Sequence, residues 1–182
     1  DIPDVKIIEP NKFEDERGFF SETYRRDIVL QIDPNLQFVQ DNHSFSKKKY
    51  TLRGLHYQIP PYDQNKLVRV AQGSALDIAV DIRKNSPYYG KYVSIILSQR
   101  NWRQLFVPSG FAHGMLTLED DTEIIYKVTN YYSPDHDRGI IWNDHELKID
   151  WQLKHDSILL SEKDNKQPNF SHLPEFFKYG DF

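Results

Sequence analysis

A few side chains are spaced as acid–base chemistry would need them. The run Thr51-Leu52-Arg53-Gly54-Leu55-His56-Tyr57-Gln58 reads as a strand. Strand side chains alternate between faces, so His56 and Gln58 point the same way. Strict alternation would put Arg53 on the other face. Gly54 relieves this, because an interior strand glycine often marks a bulge, and with one added residue Arg53 and His56 face one cavity. A second histidine, His113, heads a strand after the turn Pro108-Ser109-Gly110. Two imidazoles and one amide make a poor transition-metal site, which normally needs three or more N, O or S ligands. Lys66 follows His56 by ten residues. An ammonium group inside a small barrel repels a metal, yet it stabilises a developing oxyanion as a metal would. Tyr126 and Tyr132 share a face by even spacing; a phenol donates a proton, and a ring stacks on a base or sugar. Arg17 offers phosphate a planar fork of donors. Asp164 offers a carboxylate that would fix the tautomer of His56 and support it as a base.

Each residue also has a plain structural reading. His56 can be a satisfied core histidine, and Lys66 a surface residue at a strand start. The two tyrosines can be rim packing. Arg17, after the acidic run Glu14-Asp15-Glu16, can be a surface ion pair worth little. Asp164 can be solvated. The Lys47-Lys48-Lys49 run reads as a solvated turn between strands rather than a phosphate-binding patch.

The elements that would position these residues are almost all strands. Val5–Glu9, Phe38–Ser46, Leu52–Gln58, Lys66–Gln72, Ala75–Ile82, Tyr92–Leu97, Gln104–Val107, Ala112–Leu118 and Thr122–Tyr132 are β-rich runs bounded by turn residues. Gln72-Gly73 and Ser109-Gly110 punctuate hairpins or corners. Asp27 to Gln31 predicts one short helical turn before Asp33-Pro34. Many short strands at regular spacing predict an all-β sandwich or barrel. From Lys154 the pattern fades into a loop, Ser161 to Asn169, and a short Phe-rich terminus. No repeat or linker divides the chain, so one domain over 1–182 is expected.

Composition narrows the function. Of 182 residues 38% are hydrophobic and 27% charged, too apolar for disorder. The net charge of −4 gives no footprint for nucleic acid, so an anionic ligand would rest on a few placed Arg and Lys. Cysteine is absent, which removes disulfides, thiolate metal sites and Cys nucleophiles. No signal peptide is legible and no apolar run nears about 18 residues, so a cytoplasmic protein without membrane contact is expected.

The stretch from Val107 to Gly114 resembles the second signature of the cupin superfamily of jelly-roll barrels. In metal-binding cupins the first signature carries two His separated by one residue; here Gln58 stands at the second. Over Ile7 to about Pro168 the chain resembles one family closely, the dTDP-4-dehydrorhamnose 3,5-epimerases. The matching residues are Phe13, Asp15, Arg17-Gly18, Phe20 and Glu22; Gln40-Asp41-Asn42-His43-Ser44; Leu52 to His56; Lys66-Leu67-Val68; Asp77 to Arg83; Pro108 to Gly114; Tyr126-Lys127; Trp142-Asn143-Asp144; and Leu160 to Asp164. The resemblance implies a cupin-type double-stranded β-helix jelly-roll barrel with a few short helices, and a homodimer with exchanged N-terminal strands. It implies an enzyme without metal or cofactor that converts dTDP-4-keto-6-deoxy-D-glucose to dTDP-4-keto-L-rhamnose through an enolate.

The same resemblance implies the site roles. His56 is the base, paired with Asp164; Lys66 stabilises the enolate; Tyr126 is the acid on the opposite ring face. Arg53 and His113 hold the substrate near its phosphates and sugar. Arg17, Glu22, Gln40, Asp41 and Asn42 serve the nucleotide, and Phe20 belongs to the same substrate-binding group. Tyr132 stacks on thymine, and Lys163 and Asp137 line the remainder. The chain departs from the family pattern at Asp137, where Glu is usual, and at Gln152 after Trp151, where Pro is usual. A nucleotide-sugar monoepimerase or a 3,4-ketoisomerase would share most of these residues. A metal-dependent cupin oxygenase is disfavoured by Gln58 and Lys66. A non-catalytic sugar-binding jelly roll gives no reason to align a base, an enolate stabiliser and an acid.

Overall fold

The computed structural model describes residues 2–153 and 158–180; residues 154–157 of the expected tail lie outside the described residues. The chain begins with β1 (Lys6–Ile8), the hairpin strands β2 (Phe13–Asp15) and β3 (Gly18–Phe20), and one helical turn, α1 (Arg26–Val29). The main strands follow: β4 (Gln40–Ser46), β5 (Leu52–Gln58), β6 (Lys66–Gln72), β7 (Ser74–Asp81), β8 (Tyr92–Ser98), β9 (Gln104–Val107), β10 (Phe111–Thr117) and β11 (Thr122–Val128). A short β12 (Asp137–Gly139) comes after them. Most strands stand where alternation and turn residues place them. The structure corrects one end: β11 stops at Val128, four residues before Tyr132.

Two five-stranded antiparallel sheets form the body, ordered β1-β9-β6-β11-β4 and β12-β5-β10-β7-β8. This is the expected all-β jelly-roll architecture. Val68, Val70, Leu105 and Ile124 of the first sheet meet Ala75, Ala79 and Phe111 of the second. Each fully buried Val, Leu or Ile contributes about 1.5–3 kcal/mol relative to exposure. The outer face of the second sheet is covered too. Ile140, Leu147, Trp151, Phe170 and Phe177 from the tail pack on Leu55, Leu76, Ile78 and Val80. That double cover explains why all eight residues of β7 are buried.

The interior is not apolar throughout. Along β6, Lys66 shares the inward face with Val68 and Val70, and along β11 Tyr126 shares it with Ile124. The polar members of these rows lie toward one end of the barrel, where the cavity opens. No helix among the described residues is long and apolar enough to cross a membrane.

Candidate active site

Four strands bring the reactive side chains together. On β5 the pairing with β10 runs His56↔His113 and then Arg53↔Met115, so β5 carries one extra residue between these pairs. This bulge turns Arg53 and His56 toward the same space. Gly54 makes it possible: its φ is +114°, and a Cβ there would sit 2.6 Å from the His113 carbonyl oxygen and 2.7 Å from the Gly114 Cα. Only glycine takes that conformation at that distance without strain.

Two contiguous chambers result, of about 330 and 270 Å³. Both are lined by His56, Lys66 and Tyr126. Gln40, Asn42, Gln58, Gln64, Tyr132 and Asp137 line the first, and Ser44, Arg53, His113, Met115, Lys163 and Asp164 the second. The Asp164 carboxylate holds the His56 Nε2 in a hydrogen bond. With the shared proton on that nitrogen, the other ring nitrogen is left as an acceptor. The His56 side chain keeps 30% of its surface exposed, while Asp164 keeps 5%. Desolvation is the largest influence on Asp164 and opposes its ionisation. The bond and attraction to His56, with bonds from Ser161 and the Gly54 backbone, nevertheless hold its pKa below the usual carboxylate range.

Lys66 is fully enclosed, and desolvation pushes its pKa down to about 8 against the pull of Asp137 and Asp77. Burial likewise raises the Tyr126 phenol, a shift that Arg53 opposes and Asp137 reinforces. Near neutral pH the chamber therefore holds an ammonium group and a protonated phenol, with the His56 ring backed by the Asp164 carboxylate. Groups able to serve as base, acid and oxyanion stabiliser thus share one cavity, a set suited to proton abstraction beside a carbonyl.

Comparison with known proteins gives this set its context. The family model for dTDP-4-dehydrorhamnose 3,5-epimerase matches residues 1–172. The chain belongs to that epimerase family. A dTDP-4-dehydrorhamnose 3,5-epimerase of Sinorhizobium fredii is 50% identical over 178 residues, 98% of this chain and 91% of the relative. The dTDP-6-deoxy-D-glucose-3,5-epimerase of Legionella pneumophila, solved with dTDP-4-keto-L-rhamnose, superposes with a TM-score of 0.93 at 41% identity, covering 98% of this chain and 95% of that one. The Bacillus anthracis epimerase, solved with TDP and PPi, gives 0.87 at 48% identity, covering 91% and 94%.

Of the site residues read from the epimerase resemblance, four lie outside the chambers. On β4 Gln40 and Asn42 face inward, so Asp41 faces out and pairs with Lys127 Nζ at 2.7 Å. Arg17, Phe20 and Glu22 also stand apart from this chain's own chambers. Arg17 pairs with Asp15 on the exposed β2–β3 hairpin, and Glu22 lines a separate cavity of about 200 Å³ beside α1. Tyr132 reaches the chamber from a loop, not from a shared strand face with Tyr126. Its hydroxyl donates to Asp137, which also binds Lys163 closely. Desolvation favours neutral Lys163, but the hydrogen bond to Asp137 and the surrounding negative charge prevail and raise its pKa.

Three further residues at or beside the chambers carry no assignment from the sequence. Asp77 is buried and accepts the His113 Nε2 hydrogen bond at 2.8 Å; a carboxylate inside the apolar run of β7 was the available signal. The Ser44 Oγ, in the chamber wall, is the one buried side-chain polar atom among the described residues without a protein partner. Gln58, which stands where metal-binding cupins carry their second His, has its amide wholly engaged with backbone.

Proposed function

We propose that the chain is a dTDP-4-dehydrorhamnose 3,5-epimerase acting on dTDP-4-keto-6-deoxy-D-glucose. The observation that carries this reading is the convergence of the His56–Asp164 pair, Lys66 and Tyr126 on one chamber. The C4 ketone acidifies the hydrogens on C3 and C5. His56 takes one of them, and the C–H electron pair flows into an enolate whose oxyanion lies at O4. Lys66 stabilises that oxyanion, a contribution of roughly 3–4 kcal/mol for a well-placed donor. Tyr126 delivers a proton to the opposite face, inverting the centre. A positioned acid or base typically contributes about 10² to 10⁴ in rate. The imidazolium formed on His56 rests against the Asp164 carboxylate. Electrons return to the carbon they left, so the reaction needs no redox cofactor, and Lys66 takes at O4 the place that a Lewis-acid metal would fill.

Arg53 and His113 hold the sugar and phosphates, His113 being oriented by Asp77. Gln40, Asn42 and Tyr132 receive the nucleotide, and Asp137 with Lys163 closes the rim. The chain acts as one catalytic domain in the cytoplasm. It pairs as a homodimer whose N-terminal hairpins carry Arg17, Phe20 and Glu22 to the neighbouring copy's chamber. The support for this is that these three residues lie outside the chain's own chamber while an exposed hairpin presents Arg17 and Phe20.

Product stereochemistry tests the reading. Incubation with dTDP-4-keto-6-deoxy-D-glucose should give, by NMR coupling constants, a sugar inverted at both C3 and C5. A product inverted at one carbon would make the chain a monoepimerase, and a keto group moved to C3 would make it a ketoisomerase.

A further inference from the structure

Tyr132 is poorly held for a residue that must meet a ligand. The residue is 57% exposed. β11 has ended at Val128, so no strand ladder fixes residues 131–133 before the short helical turn Pro134–His136. A side chain takes over that task. Gln58, buried at the end of β5, donates from Nε2 to the carbonyls of Tyr62 at 2.6 Å and Tyr131 at 3.2 Å. Its Oε1 accepts the Ser133 N–H at 2.7 Å. The two amide hydrogens and one lone pair are thus spent on backbone, and two of the three bonds bracket Tyr132. The Tyr132 N–H itself donates to Gln40 Oε1 at 3.1 Å.

We propose that Gln58 is a positioning residue for the nucleotide: it pins the backbone on both sides of Tyr132 so that the ring stands ready as a platform for the base. This rests on the placement of the base at Tyr132 proposed above. Gln58 touches neither the reacting carbons nor the proton donors. It acts through preorganisation, because a segment already ordered loses less freedom when the ligand arrives. It would therefore set affinity for the nucleotide half of the substrate more than the rate of proton transfer.

The test is a double-mutant cycle of Gln58→Leu and Tyr132→Ala, with dTDP as the probe in calorimetry and steady-state kinetics beside it. Gln58→Leu should weaken dTDP binding on the order of tenfold, equivalent to about 1.4 kcal/mol, and raise KM similarly. Its kcat should fall by no more than about threefold, since only binding is altered. In the Tyr132→Ala background the same change should cost less than about twofold, because residues acting as a unit are non-additive. Additive losses, or a fall in kcat with dTDP affinity intact, would overturn the proposal and leave Gln58 a scaffold residue of β5. If Tyr132→Ala weakens dTDP but Gln58→Leu does not, the base placement stands and the role of Gln58 falls. If Tyr132→Ala leaves dTDP affinity unchanged, the base placement itself falls. Should Gln58→Leu not fold, Gln58→Met serves the same cycle, since it keeps an unbranched side chain of similar length and loses all three bonds to backbone.

Discussion

Lys66 shows how burial and charge set a working range. Desolvation lowers its pKa to about 8, so the group is a cation below that pH and neutral above it. The cation stabilises an enolate far better than the neutral amine, because its hydrogen bond is charge-assisted. kcat/KM, which reports the free enzyme, should therefore decline as pH rises through about 8, and Lys66→Met should lose this alkaline limb together with most of its activity. A wild-type profile flat to about pH 10 would remove Lys66 from the role. At this scale the sequence was partly legible. His56, Lys66 and Tyr126 were visible as types at suitable spacing, while Asp164 read equally well as a solvated tail residue. Its burial beneath His56 arises from a 108-residue separation in the chain, which no local pattern encodes. Ser44 and Asp77 were passed over because a serine or an aspartate in a strand becomes informative only once its neighbours across the barrel are known.

The elements were read best where alternation was strict. β5, β6 and β9 have the expected bounds. β11 was read too long because Thr129-Asn130-Tyr131-Tyr132 contains β-prone types, whereas the backbone there is bonded to side-chain amides such as Gln64, Gln58 and Gln40. The β2–β3 hairpin and β12 escaped notice because each strand has only three residues, and the hairpin has no buried face to impose alternation. Asp41 differs: the resemblance groups it with the nucleotide contacts, while alternation on β4 turns it away from this chain's own chambers. The bulge in β5 was legible from Gly54, and it carries an element-level prediction. Gly54→Ala should lower stability by about 3 kcal/mol, since the new Cβ meets backbone on β10 at 2.6 and 2.7 Å. Denaturant unfolding checks this, and an unchanged midpoint with full activity would show that β5 tolerates a side chain there.

For the whole molecule, the hairpin poses the main question. Phe13, Phe19 and Phe20 are exposed, yet the hairpin is anchored: Phe19 meets Trp102 edge-on at 4.9 Å, and Lys12 Nζ lies 4.3 Å from the Phe19 ring centre. An ordered apolar projection of this kind suits insertion into a second copy. Light scattering should give a dimer at micromolar concentration. Arg17→Ala should weaken dTDP binding by about 1.5–3 kcal/mol, the range for a hydrogen bond to a charged group, although Arg17 is remote from its own chamber. A monomer with unaltered dTDP affinity in Arg17→Ala would contradict the exchanged arrangement. The chemistry at the centre of the account is the division of labour between His56 and Tyr126, and NMR in D₂O tests it most directly. Wild type should exchange C3 and C5 hydrogens for deuterium and form inverted product. Tyr126→Phe should still exchange, because the enolate forms and recaptures a proton from the His56 side, but should make little inverted product. His56→Ala should do neither. Deuterium incorporation by His56→Ala at the wild-type rate would contradict the assignment of the base, and normal inverted product from Tyr126→Phe would contradict the assignment of the acid.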